Sequence, residues 1–271
     1  MTDILDVLTV ERLDADVYRG RPVPTLMART FGGQVAGQAM MAAVATVDRS
    51  QPVHSLHGYF IRPGQPADPI LLLVDRVRTG RSFTTRRVSA VQDGETIFSM
   101  SASFHSGDDG PEHQEAAPRV PRPQDVPAVD SLGGLFEQEW PNWDVRRVPE
   151  PVSEKVAGRA RQLLWVRYTK PLPDDPAIHV GALTYLSDMH LLGTSRGMHS
   201  AADESALQYA SLDHALWFLR PFRADDWLLY DQISPSAAHG RNYNRGQITD
   251  LAGRLVATVV QEGMMRRPRP R

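Results

Sequence analysis

Residues 55–63 read Ser-Leu-His-Gly-Tyr-Phe-Ile-Arg-Pro, and residues 211–221 read Ser-Leu-Asp-His-Ala-Leu-Trp-Phe-Leu-Arg-Pro. Aligning Arg62-Pro63 with Arg220-Pro221 sets an offset of 220 − 62 = 158. Further on, Gly80-Arg81-Ser82-Phe83 matches Gly240-Arg241-Asn242-Tyr243 at 160, and the turn Asp93-Gly94 matches Ala252-Gly253 at 159. Three matches in one order, drifting by one or two residues across turns, mark an internal duplication.

Each half then predicts the same layout. A short strand, over 6–9 in the first half and 162–168 in the second, precedes a helix, and long strands joined by tight turns such as Asp93-Gly94 follow. The first helix, over 32–47, is rich in Ala and Met and apolar nearly all round, so it belongs inside the molecule. Gly33 and Gly37 open its surface to close approach by a sheet. Its counterpart is predicted over 180–192. The class is therefore α+β: a buried helix followed by an antiparallel meander, twice.

The 271 residues suffice for two modest domains. Between Ser106 and Pro151 lie eight prolines, a density that breaks helices and ladders, so the predicted division is 1–106, a Pro-rich linker over 107–151, and 152–271. Trp140 and Trp143 suggest that the end of the linker packs on a domain. The formal charge, 30 − 32 = −2, supplies no global field for nucleic acid or anionic lipid. With no cysteine, disulfides, thiolate nucleophiles and Cys-ligated metals are excluded. The N-terminal residues lack the pattern of a signal peptide, and the longest strongly apolar run, Ile70 to Val74, is far too short for a membrane helix. A cytoplasmic protein without membrane insertion is expected, with homo-oligomerisation through sheet edges.

Two residues break the duplicated pattern. Phe98, Met100, Ala102 and Phe104 alternate with serines and so face the core, and their partners in the second half are Ala257, Val259, Gln261 and Gly263. Gln261 thus points inward where Ala102 stands in the first copy, and a buried amide requires hydrogen-bonding company, from backbone, water or a functional partner. Asp188 is the second, a carboxylate in the apolar run 182–192. It is either solvated on an exposed side or able to meet Gln261 across a helix–sheet interface.

The runs Arg29-Thr30-Phe31-Gly32-Gly33-Gln34, His54-Ser55-Leu56-His57-Gly58-Tyr59-Phe60-Ile61-Arg62-Pro63-Gly64, Gly80-Arg81-Ser82-Phe83 and Val260-Gln261-Glu262-Gly263 resemble those of the type II acyl-CoA thioesterase family. The resemblance covers nearly the whole chain and is weakest in the Pro-rich stretch. It implies a double hotdog fold, hydrolysis of fatty acyl-CoA to fatty acid and coenzyme A, no cofactor and no metal. It also implies a catalytic set of an Asp at the second helix, a Ser or Thr opening a strand, and a Gln on the last strand. By motif these are Asp188, Ser211 and Gln261. Ser211 stands where Thr is frequent in the family, and Leu219 where His is frequent.

In that set Asp188 would orient water or take its proton, while Ser211 and Gln261 hold the same water and backbone amides at a helix N-terminus stabilise the oxyanion. The phosphates of coenzyme A call for arginines, and Arg81, Arg86 and Arg87 are the candidates, with a solvated strand face as their other explanation. Gly193-Thr194-Ser195-Arg196-Gly197 fits the nucleophile-elbow pattern but lacks its strand–helix context. His54 and His57 are three apart on a strand and face opposite sides, which argues against a shared metal. The rival reading is a hotdog protein that binds acyl-CoA without turning it over.

Overall fold

The computed structural model describes residues 3–127, 135–149, 160–199 and 207–268. Thirteen strands form one sheet, wrapped round two long helices. In the first half the chain runs through helix α1 (Ile4–Leu8), strands β1 (Val10–Asp14) and β2 (Val17–Gly20), helix α2 (Gly32–Val44), and strands β3 (Val53–Phe60), β4 (Ile70–Thr79), β5 (Phe83–Gln92) and β6 (Glu95–His105). A short helix α3 (Leu135–Glu139) and strand β7 (Trp143–Arg147) follow. The second half holds β8 (Ala160–Tyr168), helix α4 (Pro176–Ser187), β9 (Gln208–Ser211), β10 (Asp213–Phe218), β11 (Leu228–Ala238), β12 (Arg241–Asp250) and β13 (Leu255–Arg266).

The strand order β1-β2-β4-β5-β6-β3-β10-β13-β12-β11-β8-β7 is a near mirror about the β3–β10 junction, with β9 also paired to β13. There Leu56 faces Leu216, which are 216 − 56 = 160 residues apart, the offset of the repeat. The duplication thus gives two hotdog units whose sheets join edge to edge.

The two helices pack on each other as well as on their sheets, and here the glycines act differently from the expectation. A Cβ on Gly33 would sit 2.3 Å from the Tyr185 carbonyl oxygen, and one on Gly37 3.6 Å from that of Gly181. The close approach they permit is that of helix α4 rather than of a sheet.

Three further elements depart from the sequence reading. Residues 6–9 lie largely in helix α1: the Asp3 side chain accepts the Leu5 N–H, and Ile4, Val7 and Leu8 bury one helical face. Helix α4 begins earlier and ends earlier than predicted, since Asp175 caps it, Pro176 takes the first turn, and Asp188 is its C-cap. Finally, β7 lies within the stretch read as linker. It pairs with β8, Trp143 and Val145 are buried, and Arg146 donates to the carbonyls of Pro123 and Val126.

Candidate active site

The C-terminal end of α4 meets β13 and the N-terminus of α2. Gln261, fully buried on β13, donates from Nε2 to Asp188 Oδ1 at 2.6 Å and to Ser211 Oγ at 3.0 Å. Ser211 Oγ donates to Asp188 Oδ1 at 3.4 Å. The inward position of Gln261 follows from strand alternation, and its partners explain how a buried amide is tolerated. Gln261 Oε1 has no partner among the described residues, which leaves an acceptor at the same point.

Ser211 is placed by a break between β9 and β10. Both strands pair with β13, and at the irregularity the Asp213 carboxylate accepts the Glu262 N–H at 2.6 Å. Asp213 is thereby occupied, while His214 turns inward and reaches Ser187. Neither serves Ser211 as a base, and among the described residues its carboxylate contact is Asp188.

A helix C-terminus is a poor electrostatic place for a carboxylate. Asp188 escapes that because the other helix starts beside it: a Cβ on Gly32 would lie 2.6 Å from Asp188 Oδ2. The N-cap of α2, Phe31, contributes no side-chain hydrogen bond, so the first-turn amides of Gly32 and Gly33 lack a capping partner. The site therefore belongs to both halves, with its carboxylate and amide from one and a helix N-terminus from the other.

With Gln261 buried behind them, Gly32, Asp188 and Ser211 line a cavity of about 1390 Å³. Around the α2 terminus its wall is largely apolar, with Phe31, Val35, Phe60, Ile97, Phe98 and Trp140. Beyond Asp188 it becomes polar, with Gln162, His190, Thr194 and Arg196. His190 adopts a left-handed backbone, φ 64°. Burial, with a smaller effect from Arg147, pushes its imidazole down to about 4. Gln162 donates to the His190 carbonyl and to Thr194 Oγ1, both at 3.0 Å, so this wall is built rather than merely exposed.

The three arginines named from sequence lie apart from this cavity. Arg86 is buried in the first unit, donating from Nε to Thr46 Oγ1 at 2.8 Å and to the carbonyls of Thr46, Arg78 and Thr85. Arg81 and Arg87 are exposed and absent from the lining. The arginines that do line it are Arg29, Arg62, Arg147, Arg161 and Arg196. Sequence reasoning missed them because they sit on loops and strand ends, where no period assigns a direction.

Ser195 of the elbow-like pattern is buried in a 3-10 turn, where its hydroxyl accepts from Asn242 Nδ2 and donates to the Leu192 carbonyl. His54 bonds Ser103, whereas His57 packs against Trp217. No group of three or more His, Cys, Asp or Glu with metal-binding geometry occurs among the described residues.

Comparison with known proteins agrees with this architecture. The family model described as acyl-CoA thioesterase matches residues 133–264, and that for the acyl-CoA thioesterase N-terminal domain matches residues 21–105. The chain is 38% identical to mouse acyl-coenzyme A thioesterase 8, covering 97% of this chain and 88% of that protein. It is 32% identical to acyl-CoA thioesterase 2 of Haemophilus influenzae, over 98% and 99% of the two chains. The crystal structure of acyl-CoA thioesterase II TesB2 from Mycobacterium marinum superposes with a TM-score of 0.87 at 49% identity, covering 98% of this chain and 99% of that one. The chain belongs to the type II acyl-CoA thioesterase family, and its fold is the double hotdog.

Proposed function

We propose that this protein hydrolyses fatty acyl-CoA thioesters by direct attack of water, with Asp188, Ser211 and Gln261 as catalytic residues. The convergence of Gln261 Nε2 and Ser211 Oγ on one oxygen of Asp188 carries the reading. Water held there gives its proton to Asp188 as its oxygen bonds to the thioester carbon. The carbonyl oxygen becomes an oxyanion facing the first-turn amides of α2. Collapse of the intermediate breaks the carbon–sulfur bond, the sulfur leaves as a thiol with the proton that Asp188 had taken, and the acid is released with Asp188 restored. No covalent acyl-enzyme is required, because Ser211 has no separate base to activate it.

The acyl chain runs along the apolar wall beside Phe31 and Phe98, and the arginines on the lining meet the phosphates of coenzyme A. No cofactor takes part. A cytoplasmic location and a homo-oligomeric state belong to the same proposal. Exposed Tyr59 and Leu73 share one row on the outer sheet face, Leu73-Ser89-Ser99-Tyr59, and favour self-association. No helix among the described residues is long and apolar enough to cross a membrane. Cell fractionation and gel filtration check these two points.

The decisive experiment follows thiol release from acyl-CoAs of short to long chain, with folded Asp188→Ala beside the wild type. Turnover in the wild type and its loss by about a hundredfold or more in the variant are expected. Saturable binding without thiol release would replace the enzyme with an acyl-CoA-binding protein.

A further inference from the structure

The backbone that carries Asp188 is held as specifically as its carboxylate. Ser187, the last residue of α4, is fully buried. Its carbonyl accepts a hydrogen bond from the Tyr230 hydroxyl at 2.9 Å. Its own hydroxyl lies 2.7 Å from His214 Nε2 and 2.9 Å from the Thr184 carbonyl oxygen. A serine has one hydroxyl proton to give. The pattern that leaves no donor unpaired has Ser187 donating to Thr184 and His214 Nε2–H donating to Ser187 Oγ. His214 Nδ1 is then a bare acceptor, in keeping with its lack of a partner among the described residues.

His214 is fully buried and Tyr230 nearly so, and burying an imidazole and a phenol is costly unless their polar atoms are used. The fold makes room for one of them at a particular place: a Cβ on Gly246 would lie 2.3 Å from Tyr230 Cε2. Both side chains, from β10 and β11, which β13 and β12 separate in the sheet, converge on the residue before Asp188. The chain then turns sharply, with Asp188 at φ −82°, ψ −14° and His190 in the left-handed region without a glycine, a path that outside contacts must hold. The duplicate differs at this point: helix α2 ends at Val44 with Ala45 as its C-cap and no carboxylate, and there it is Arg86 that holds the hydroxyl and carbonyl of Thr46.

We propose that His214 and Tyr230 are positioning residues, which act through Ser187 to aim the Asp188 carboxylate at the attacking water. The inference rests on the reading that Asp188 activates that water. Neither side chain is assigned contact with substrate.

The test measures kcat and KM for one acyl-CoA in Tyr230→Phe, His214→Leu and His214→Gln, each alone and combined with Asp188→Ala. Circular dichroism and the thermal midpoint establish folding. Tyr230→Phe and His214→Leu are expected to lower kcat about tenfold while KM stays within about twofold. His214→Gln returns an N–H near the Nε2 position and recovers most of the loss. In the Asp188→Ala background the same changes alter residual hydrolysis by less than about twofold, because the group they aim is gone. Wild-type kcat in folded Tyr230→Phe and His214→Leu overturns the proposal, as do equal losses with and without Asp188, which mark a general structural role. Should either strand variant fail to fold, Ser187→Ala carries the same expectations. Full activity in Asp188→Ala alone defeats the reading of the site itself, and is told apart by that single variant.

Discussion

Gln261 Nε2 and Asp188 Oδ1 are 2.6 Å apart although 73 residues separate them in sequence. The amide supplies the carboxylate with a hydrogen-bond donor at a buried strand. Replacing it by an isosteric acid reverses that role. In Gln261→Glu two carboxyls share one small site, and one of them holds a proton to higher pH. The acid limb of the kcat/KM profile is expected to move up by more than about one pH unit, with activity near neutrality falling about a hundredfold. Gln261→Ala should lose activity without moving that limb upward. A wild-type profile in Gln261→Glu would remove Gln261 from the site.

Adjacent glycines at the start of α2 make separable demands. A methyl on Gly32 meets Asp188 Oδ2 at 2.6 Å and the Phe60 ring at 2.9 Å, whereas one on Gly33 meets the backbone carbonyl of Tyr185 at 2.3 Å. Gly32→Ala therefore presses on the Asp188 carboxylate and on a ring that can shift. Gly33→Ala wedges the two central helices apart. Gly32→Ala is expected to lose most activity with a near-normal thermal midpoint, and Gly33→Ala to lose about 1 to 3 kcal/mol of stability. Thermal unfolding measured beside kcat separates the two. Equal midpoints would contradict the packing argument.

Arg86 has hydrogen-bond partners at Thr46, Arg78 and Thr85 but no carboxylate in contact among the described residues, and burial pushes its guanidinium down from the usual value. Removing it takes a donor from the buried Thr46 hydroxyl and carbonyl and from the part-buried carbonyls of Arg78 and Thr85. Arg86→Ala is expected to cost about 3 kcal/mol in a denaturant titration. KM for acyl-CoA should stay unchanged, since the side chain lies inside the first unit. A raised KM in a stable Arg86→Ala protein would return it to the substrate.

The direction of Arg86 was legible in the sequence. In β5, Val88 and Ala90 face the core, and a period of two carries Thr84 and Arg86 to the same face, the register that also pairs Arg86 with buried Ala102. Charge outweighed alternation in reading it as a surface residue. The same alternation correctly turned Gln261 inward, because Phe98 and Phe104 on the duplicate strand fixed the register. Helix α1 carried its signal too, an Asp before apolar residues at one, four and five positions on, but its brevity resembles a strand. What no single segment could show was the meeting of Gly32 with Asp188. That contact arises from the packing of one copy's helix N-terminus on the other's C-terminus, and the repeat alone does not state how the copies face. For the same reason the clamp on Ser187 was hidden: Tyr230 and His214 read as ordinary core residues of two strands.

Acid should weaken this fold in two stages, and histidine comes first. His190 is held down to about 4 by burial and by Arg147, while an unfolded histidine titrates at 6.5. Between those values the unfolded chain binds a proton that the folded chain refuses, so stability falls as pH falls, by up to about 1.4 kcal/mol per pH unit for one such group. Burial lowers His214 and His179 in the same direction, which steepens the slope. For Asp225, burial alone would raise the carboxyl, but bonds from Arg223 and the Leu172 N–H outweigh it and hold it below 3.8, so its contribution is lost only as pH drops through that lower range. Urea midpoints measured at about pH 7, 6 and 5 should therefore decline. His190→Asn keeps a residue tolerant of the left-handed backbone and removes the proton site, so its midpoint should decline less over the same interval. An identical decline in the variant would show that His190 takes up its proton in the folded protein, contrary to its half-buried place on the cavity wall.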